Sequence, residues 1–219
     1  MSYASSLSPS QTASIPQGVN RYVSEAYSYF FASLASMAIL GVISYHLLPQ
    51  SSMMGLAIAD SIIWIACGWF GWRNPISFVF PLFTIITGLL LGQLAHFYST
   101  VFAATTIITL AAFCGLTAFV WITRWDFSFL SGFLCLAFFV LIGGWITSFF
   151  INSTGFLLGW TGFGVFTFGC WILYDTSNIL NRAGDGESSA VAAFELILDI
   201  VGFHRWLLEH LNIWDLTDN

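Results

Sequence analysis

Two aspartates stand inside stretches of sequence that are otherwise almost entirely apolar. Asp175 lies in GVFTFGCWILYDTSNIL and Asp199 lies in AVAAFELILDIVGF. A carboxylate within such a segment costs a few kcal/mol to insert into a membrane, so it usually faces a partner or a water-filled cavity. The two aspartates are equally far from Glu187, which marks the connection between their segments. A helical hairpin turning there would place the two carboxyl groups at the same level.

A third acidic residue is close to this pair in the sequence. Glu195 precedes Asp199 by four residues, so both lie on one helical face. Two adjacent carboxylates in a medium of low dielectric constant cannot both ionise cheaply, so we expect Asp175 and Asp199 to share a proton and to act as a pH-sensitive latch. The alternative is that they only hydrogen-bond neighbouring helices and fix the packing. For Glu195 the alternative is a position near the inner membrane interface.

Two other charged residues within apolar segments could join the same polar core. Arg205 follows Asp199 by six residues and could be a counter-ion to the acids, or could extend toward the outer interface. Asp60, in GLAIADSIIWIACGW, could face the core or lie near the outer surface. We expect three histidines, His46, His96 and His210, to lie at interfaces, since the sequence shows no convergence typical of a metal site.

The segments that position these residues are long and apolar. Of the 219 residues, 58% are hydrophobic and only 7% are charged, whereas a soluble domain carries roughly 25% charged residues. Seven apolar segments are each long enough to cross a membrane as a helix. They span 26–48, 53–72, 76–98, 101–123, 127–151, 155–180 and 188–211. We therefore predict an all-α integral membrane protein, with a disordered cytoplasmic tail at 1–22 and a single seven-span domain at 23–219.

The basic residues predict how the helices are oriented. The sequence has five arginines and no lysine. One arginine precedes the first segment, and three others fall on alternate connections: Arg21, Arg73, Arg124 and Arg182. Basic residues favour the cytoplasmic side, so we expect the N-terminus inside the cell and the C-terminus outside.

Reporter fusions test this orientation directly. A reporter at Asn219 and one inserted in the connection at Asp185 should report opposite sides of the membrane, because one more apolar segment separates them. Finding both reporters on the same side would contradict the seven-span prediction.

Several functional classes are excluded by residue types. A net charge of −6 argues against nucleic-acid binding, which needs a basic surface. A retinal protein needs a Schiff-base lysine, and the chain has none. The motifs HExxH, Walker A and GxGxxG are absent. The four cysteines lie in apolar segments without CxxC spacing, so we expect buried thiols. We predict that the protein is not an enzyme and has no cofactor.

Four motifs resemble the transmembrane Bax-inhibitor-motif family. ITGLLLG at 86–92 is similar to its third-span motif, with Gln93 where a proline is common, and ITRWDFSFLSGF at 122–133 is similar to the signature around spans four and five. LYDTSNIL at 173–180 resembles its LYDTQ motif. ELILDIVGFHR at 195–205 resembles its acid-xxx-Asp helix, which carries a basic residue six positions after the Asp.

This resemblance implies a seven-helix bundle with the last helix central and a calcium leak gated by pH. Asp175 and Asp199 match the family's pH sensor and would meet calcium transiently, as the transported ion. Some relatives carry an arginine in the second span that pairs with the seventh-span aspartate. Here Arg73 lies at the end of that span, and Arg205 is the basic residue within a span.

The resemblance also implies where the protein is and what it contacts. We expect the protein to lie in the lipid bilayer of a bacterial inner (plasma) membrane. We also expect it to bind a partner such as a membrane protease. The alternative function is a non-conducting regulator that binds such a partner or a cell-death factor. A third possible function is that of a proton-coupled solute carrier, because such a protein could also use a pair of carboxyl groups that gain and lose a proton.

Overall fold

The chain folds into a bundle of α-helices in a computed structural model that describes residues 17–70, 76–151, 153–181 and 188–218. Within these ranges there are seven helices and no strand. They are α1 (Gln17–Leu47), α2 (Met53–Phe70), α3 (Ile76–Phe97), α4 (Phe102–Thr123), α5 (Leu130–Ser148), α6 (Thr154–Asn181) and α7 (Ser189–Asp218). Five residues used in the sequence analysis lie outside the described ranges: Arg73, Arg182, Asp185, Glu187 and Asn219.

Each predicted segment coincides with one helix, but the ends differ. α1 begins at Gln17, before the predicted span at 26 and inside the segment 1–22 that was predicted to be a disordered tail. α7 continues to Asp218, beyond the predicted end at 211. Both extensions mix polar and apolar residues, so a search for long apolar segments does not include them. Residues 1–16 of the predicted tail lie outside the described ranges.

Five of the helices are long and apolar enough to cross a membrane: α1, α3, α4, α5 and α6. Large apolar side chains on their outer faces are exposed, among them Ile39, Ile107 and Phe139. A contiguous exposed apolar surface of this kind is unfavourable in water and marks contact with lipid. The chain is therefore a membrane protein.

α7 occupies the centre of the bundle. It packs against α1, α3, α4 and α6. Most of its apolar residues between Ala192 and Leu208 are buried, and Ala193, Leu196 and Ile197 have no exposed surface at all. Such burial explains how this helix tolerates Asp199, because its carboxyl group faces protein and not lipid.

Glycines allow α1 and α3 to approach closely side by side. A Cβ atom at Gly88 would lie 2.9 Å from the Cα of Met37, and one at Gly92 would lie 2.8 Å from the Cβ of Ser44 and closer still to the carbonyl oxygen of Gly41. Larger residues cannot fit at these two positions unless the helices separate. Residues farther along α1 contact residues farther along α3, so the two helices are parallel.

We call the end of the bundle where α1 starts the N-end and the opposite end the C-end. α2 and α3 are antiparallel, as the contacts of Asp60 with Thr87 and of Trp64 with Phe83 show. Arg21 at the start of α1 and Arg124 at the end of α4 both lie at the N-end.

Candidate functional site

The two aspartates predicted to meet are in contact. Asp175 of α6 and Asp199 of α7 are both buried, with 6% and 4% of their surface exposed. Their carboxyl groups are neighbours that influence each other's charge, and Glu195, which is half-buried, is a further charged neighbour of Asp199. Two adjacent carboxylates repel when both are ionised, whereas a proton on one of them would let it donate to the other. We call Asp175 and Asp199 the carboxyl pair.

One oxygen of the carboxyl pair is left without a protein partner. Asp199 Oδ2 is buried and has no hydrogen-bond partner among the described residues. A buried polar atom without a partner is rare in native proteins and usually indicates a bound water, an ion or a functional role.

Contacts between aromatic rings and glycines fix how α6 and α7 are aligned along their length, and so keep the carboxyl pair together. The Trp206 ring of α7 covers Gly164 of α6, and the Phe168 ring of α6 covers Gly202 of α7, so close that neither glycine could carry a Cβ atom. These contacts run in both directions between the two helices and prevent them from sliding past each other. The carboxyl pair lies one to two turns along the same interface.

A second buried polar cluster joins α7 to α2 and α3. Arg205 Nη1 donates to Asp60 Oδ2 at 2.5 Å, and Thr87 Oγ1 donates to Asp60 Oδ1 at 2.5 Å. The side chain of Asp60 is fully buried and that of Arg205 is 35% exposed. A buried carboxylate needs such partners, since taking a lone charge out of water costs several kcal/mol. We call Asp60, Thr87 and Arg205 the ion-pair cluster.

The two clusters lie on different sides of α7. Arg205 is six residues after Asp199, which is about 240° around an α-helix at 100° per residue. The interactions of Asp199 are with Asp175 and Glu195, whereas Arg205 bonds to Asp60. Of the two alternatives for Arg205, the structure shows the counter-ion. Its partner, however, is Asp60 and not the carboxyl pair. Asp60 faces the core, and it does not join the carboxyl pair.

Other buried polar contacts were not predicted. Gln93, at the position where a proline is common in the family, is fully buried and donates to the carbonyl oxygen and to the hydroxyl of Ser44, each at 3.0 Å. His204 Nε2 lies 3.2 Å from Thr106 Oγ1. An amide or imidazole inside an apolar segment signals a buried partner, but it does not say which helix supplies that partner.

The histidines and cysteines form no metal centre in the described part of the chain, where no three His, Cys, Asp or Glu side chains are grouped to hold an ion. His96 stacks on Tyr45 and bonds to its carbonyl oxygen, and His210 Nδ1 lies 2.9 Å from Thr161 Oγ1. The described cysteines are free thiols, but the expectation that they are buried holds only for Cys170, since Cys114 and Cys135 are exposed.

Comparison with known proteins found one matching family and several similar proteins. A sequence model of the family described as "Inhibitor of apoptosis-promoting Bax1" matches residues 19–214. Bax inhibitor 1 of Schizosaccharomyces pombe is 36% identical over 148 residues, which are 66% of this chain and 55% of that protein. The Golgi anti-apoptotic protein of Vaccinia virus (strain Lister) is 30% identical over 132 residues, 60% of this chain and 55% of that protein.

A bacterial relative matches over a greater length. The uncharacterized protein Cj0236c of Campylobacter jejuni is 27% identical over 203 residues, 87% of each chain. By contrast, the match covers little more than half the length of the yeast and viral relatives.

Proposed function

The chain belongs to the family described as "Inhibitor of apoptosis-promoting Bax1", and on that premise we propose that it is a pH-sensitive calcium leak channel. The observation that carries this proposal is the carboxyl pair, buried between α6 and α7 with one oxygen unpartnered. Protonation of the pair would control the passage of cations. The protein would cross a bacterial inner membrane seven times, with α2 and α7 completing the set of five apolar helices.

Support for pH sensitivity comes from the proximity of the two carboxyl groups, which would favour a proton shared between them. With the proton in place, Asp175 and Asp199 hold α6 and α7 together. Loss of the proton leaves two negative charges in contact at a buried position, and their repulsion favours a different packing of the helices. The pair thereby links protonation to the arrangement of the central helix, and a free-energy difference of a few kcal/mol between two packings is enough to change their populations.

Support for calcium comes from the type of ligand atom. Calcium is a hard cation that prefers carboxylate and carbonyl oxygens. Ionised Asp175 and Asp199, with Glu195 beside them, would offer such oxygens inside the bundle. Calcium is here the transported ion, and its contact with the pair would be transient.

Support for an N-terminus in the cytoplasm comes from the basic residues. Arg21 and Arg124 lie together at the N-end of the bundle, and the positive-inside rule assigns that end to the cytoplasm. The carboxyl pair lies closer to the N-end and the ion-pair cluster closer to the C-end, because α7 begins at the N-end. The pair would then sit in the cytoplasmic half of the membrane.

Calcium flux into liposomes tests the proposal. Purified protein in liposomes loaded with a calcium-sensitive dye should raise the rate of calcium entry above that of empty liposomes, and the rate should change when the external pH is stepped between 5 and 8. The pH step should alter the rate because it changes the charge of the carboxyl pair. No flux above empty liposomes at any pH in this range would contradict the channel function.

A second candidate is a non-conducting regulator of cell death or of a membrane partner. It is favoured by the relatives named Bax inhibitor 1 and Golgi anti-apoptotic protein. This function would use the carboxyl pair to change the shape of a binding surface and would leave calcium flux at the level of empty liposomes. The flux measurement therefore separates the two candidates.

A further inference from the structure

A groove of about 500 Å³ runs along the C-end half of α7. Helices α2 and α3 form one wall, α5 and α6 form the other wall, and α7 forms the floor. α2 and α5 make no contact with each other across it in the described ranges. Phe138 and Trp145 on its α5 edge are more than half exposed, so the groove opens sideways toward the surface that faces lipid. We call it the lateral groove.

The lining of the lateral groove changes character along its length. Its part nearer the N-end is apolar and includes Trp64, Phe138 and Phe168. Toward the C-end it is lined by Arg205, and one helical turn (about 6 Å) farther by Glu209. An apolar stretch followed by a cation and then an anion is complementary to a lipid tail, a phosphate and an amine, in that order.

The Arg205 guanidinium can bind an anion while it is paired with Asp60. An arginine has five N–H donors in a planar fork. One nitrogen, Nη1, donates to Asp60, and the side chain remains 35% exposed and lines the groove. The donors not used by Asp60 are suited to phosphate oxygens, which arginine binds with good geometry.

Glu209 is placed to bind a cation. It has no hydrogen-bond partner among the described residues, and Asp60 already neutralises Arg205, the basic residue nearest to it. Three aromatic residues line the same groove: Tyr98, Trp160 and Trp206. A carboxylate beside several aromatic rings is a typical environment for an ammonium group, through charge and cation–π attraction.

We propose that the lateral groove binds one zwitterionic phospholipid, with its amine at Glu209, its phosphate at Arg205 and an acyl chain along the apolar floor. The order of these groups is that of a lipid in the membrane leaflet at the C-end, where the headgroup lies at the interface and the chain points inward. This site is separate from the carboxyl pair and does not depend on calcium passage.

Native mass spectrometry of the purified full chain tests the site. The protein is exposed to equal amounts of phosphatidylethanolamine and phosphatidylglycerol, which share a phosphate but differ in the amine. Wild type should retain one lipid and prefer phosphatidylethanolamine by roughly three- to tenfold, as expected for one cation–π contact plus one partly exposed ion pair. Glu209→Gln should reduce the preference to near one, while both lipids are still retained.

Two further variants complete the test. Ser61→Phe places a ring in the groove and should abolish retention of both lipids; the Ser61 hydroxyl bonds only within α2, to Ala57, so the fold loses no contact between helices. Asp215→Asn removes a carboxylate from the same end of α7 but outside the groove lining, and it should keep the wild-type preference. Equal retention of the two lipids by wild type, an unchanged preference in Glu209→Gln, or a lost preference in Asp215→Asn would overturn the proposal.

Discussion

Replacing Arg205 with methionine should destabilise the protein by about 3–5 kcal/mol, the range observed when one partner of a buried ion pair is removed. The loss should be large because Asp60 is fully buried and would keep only the hydrogen bond from Thr87. It should show as a lower melting temperature of the detergent-solubilised protein, followed by tryptophan fluorescence.

Two matched variants show whether the buried charge is the cause. Arg205→Met combined with Asp60→Asn should recover most of the stability, because asparagine is neutral and still accepts the Thr87 hydrogen bond. Arg21→Met removes an exposed arginine that pairs with Glu25, where the side chains are 81% and 44% exposed, and should change stability by less than about 1 kcal/mol. If Arg205→Met and Arg21→Met had equal effects, Asp60 would not be acting as a buried charge.

Replacing either member of the carboxyl pair with asparagine should remove most of the pH dependence of calcium flux. Asparagine keeps the shape of the side chain but cannot exchange the shared proton. If wild-type flux changes by about tenfold between pH 5 and 8, equivalent to about 1.4 kcal/mol, then Asp175→Asn and Asp199→Asn should each reduce the change to less than about twofold. The measurement is the liposome assay at several pH values.

The control for these variants is Asp215→Asn, which removes a carboxylate at the C-end of α7, where Asp215 accepts a hydrogen bond from Thr100. It should preserve the wild-type pH profile. The double variant Asp175→Asn/Asp199→Asn should resemble the single variants, since one contact is lost in all three and effects within one contact are not additive. A wild-type pH profile in Asp175→Asn would show that another group senses pH.

The sequence predicted the helices and the carboxyl pair because both depend on local pattern. Long apolar segments specify spanning helices, and the spacing of Asp175 and Asp199 within a hairpin brings them level. The helices α1 and α7 extend beyond the predicted spans, because a search for apolar segments does not report helical turns that contain many polar residues.

The partner of Arg205 could not be derived in the same way. The position of Arg205 six residues after Asp199 indicates that it points to another side of α7, which argues against a contact with the carboxyl pair. Which helix lies on that side depends on how seven helices pack, and here α2 and α3 supply Asp60 and Thr87. The same limit applies to Gln93, whose partner Ser44 belongs to α1.

The central position of α7 has a mechanical consequence. One continuous helix carries Asp199 toward α6 and Arg205 toward α2. A rigid rod that turns about its own axis moves all of its side chains through the same angle, so a rotation that separates the two carboxyl groups also displaces the guanidinium from Asp60. Separation of the carboxyl pair on one side of α7 and loss of the ion pair on another side would then be a single movement of this helix.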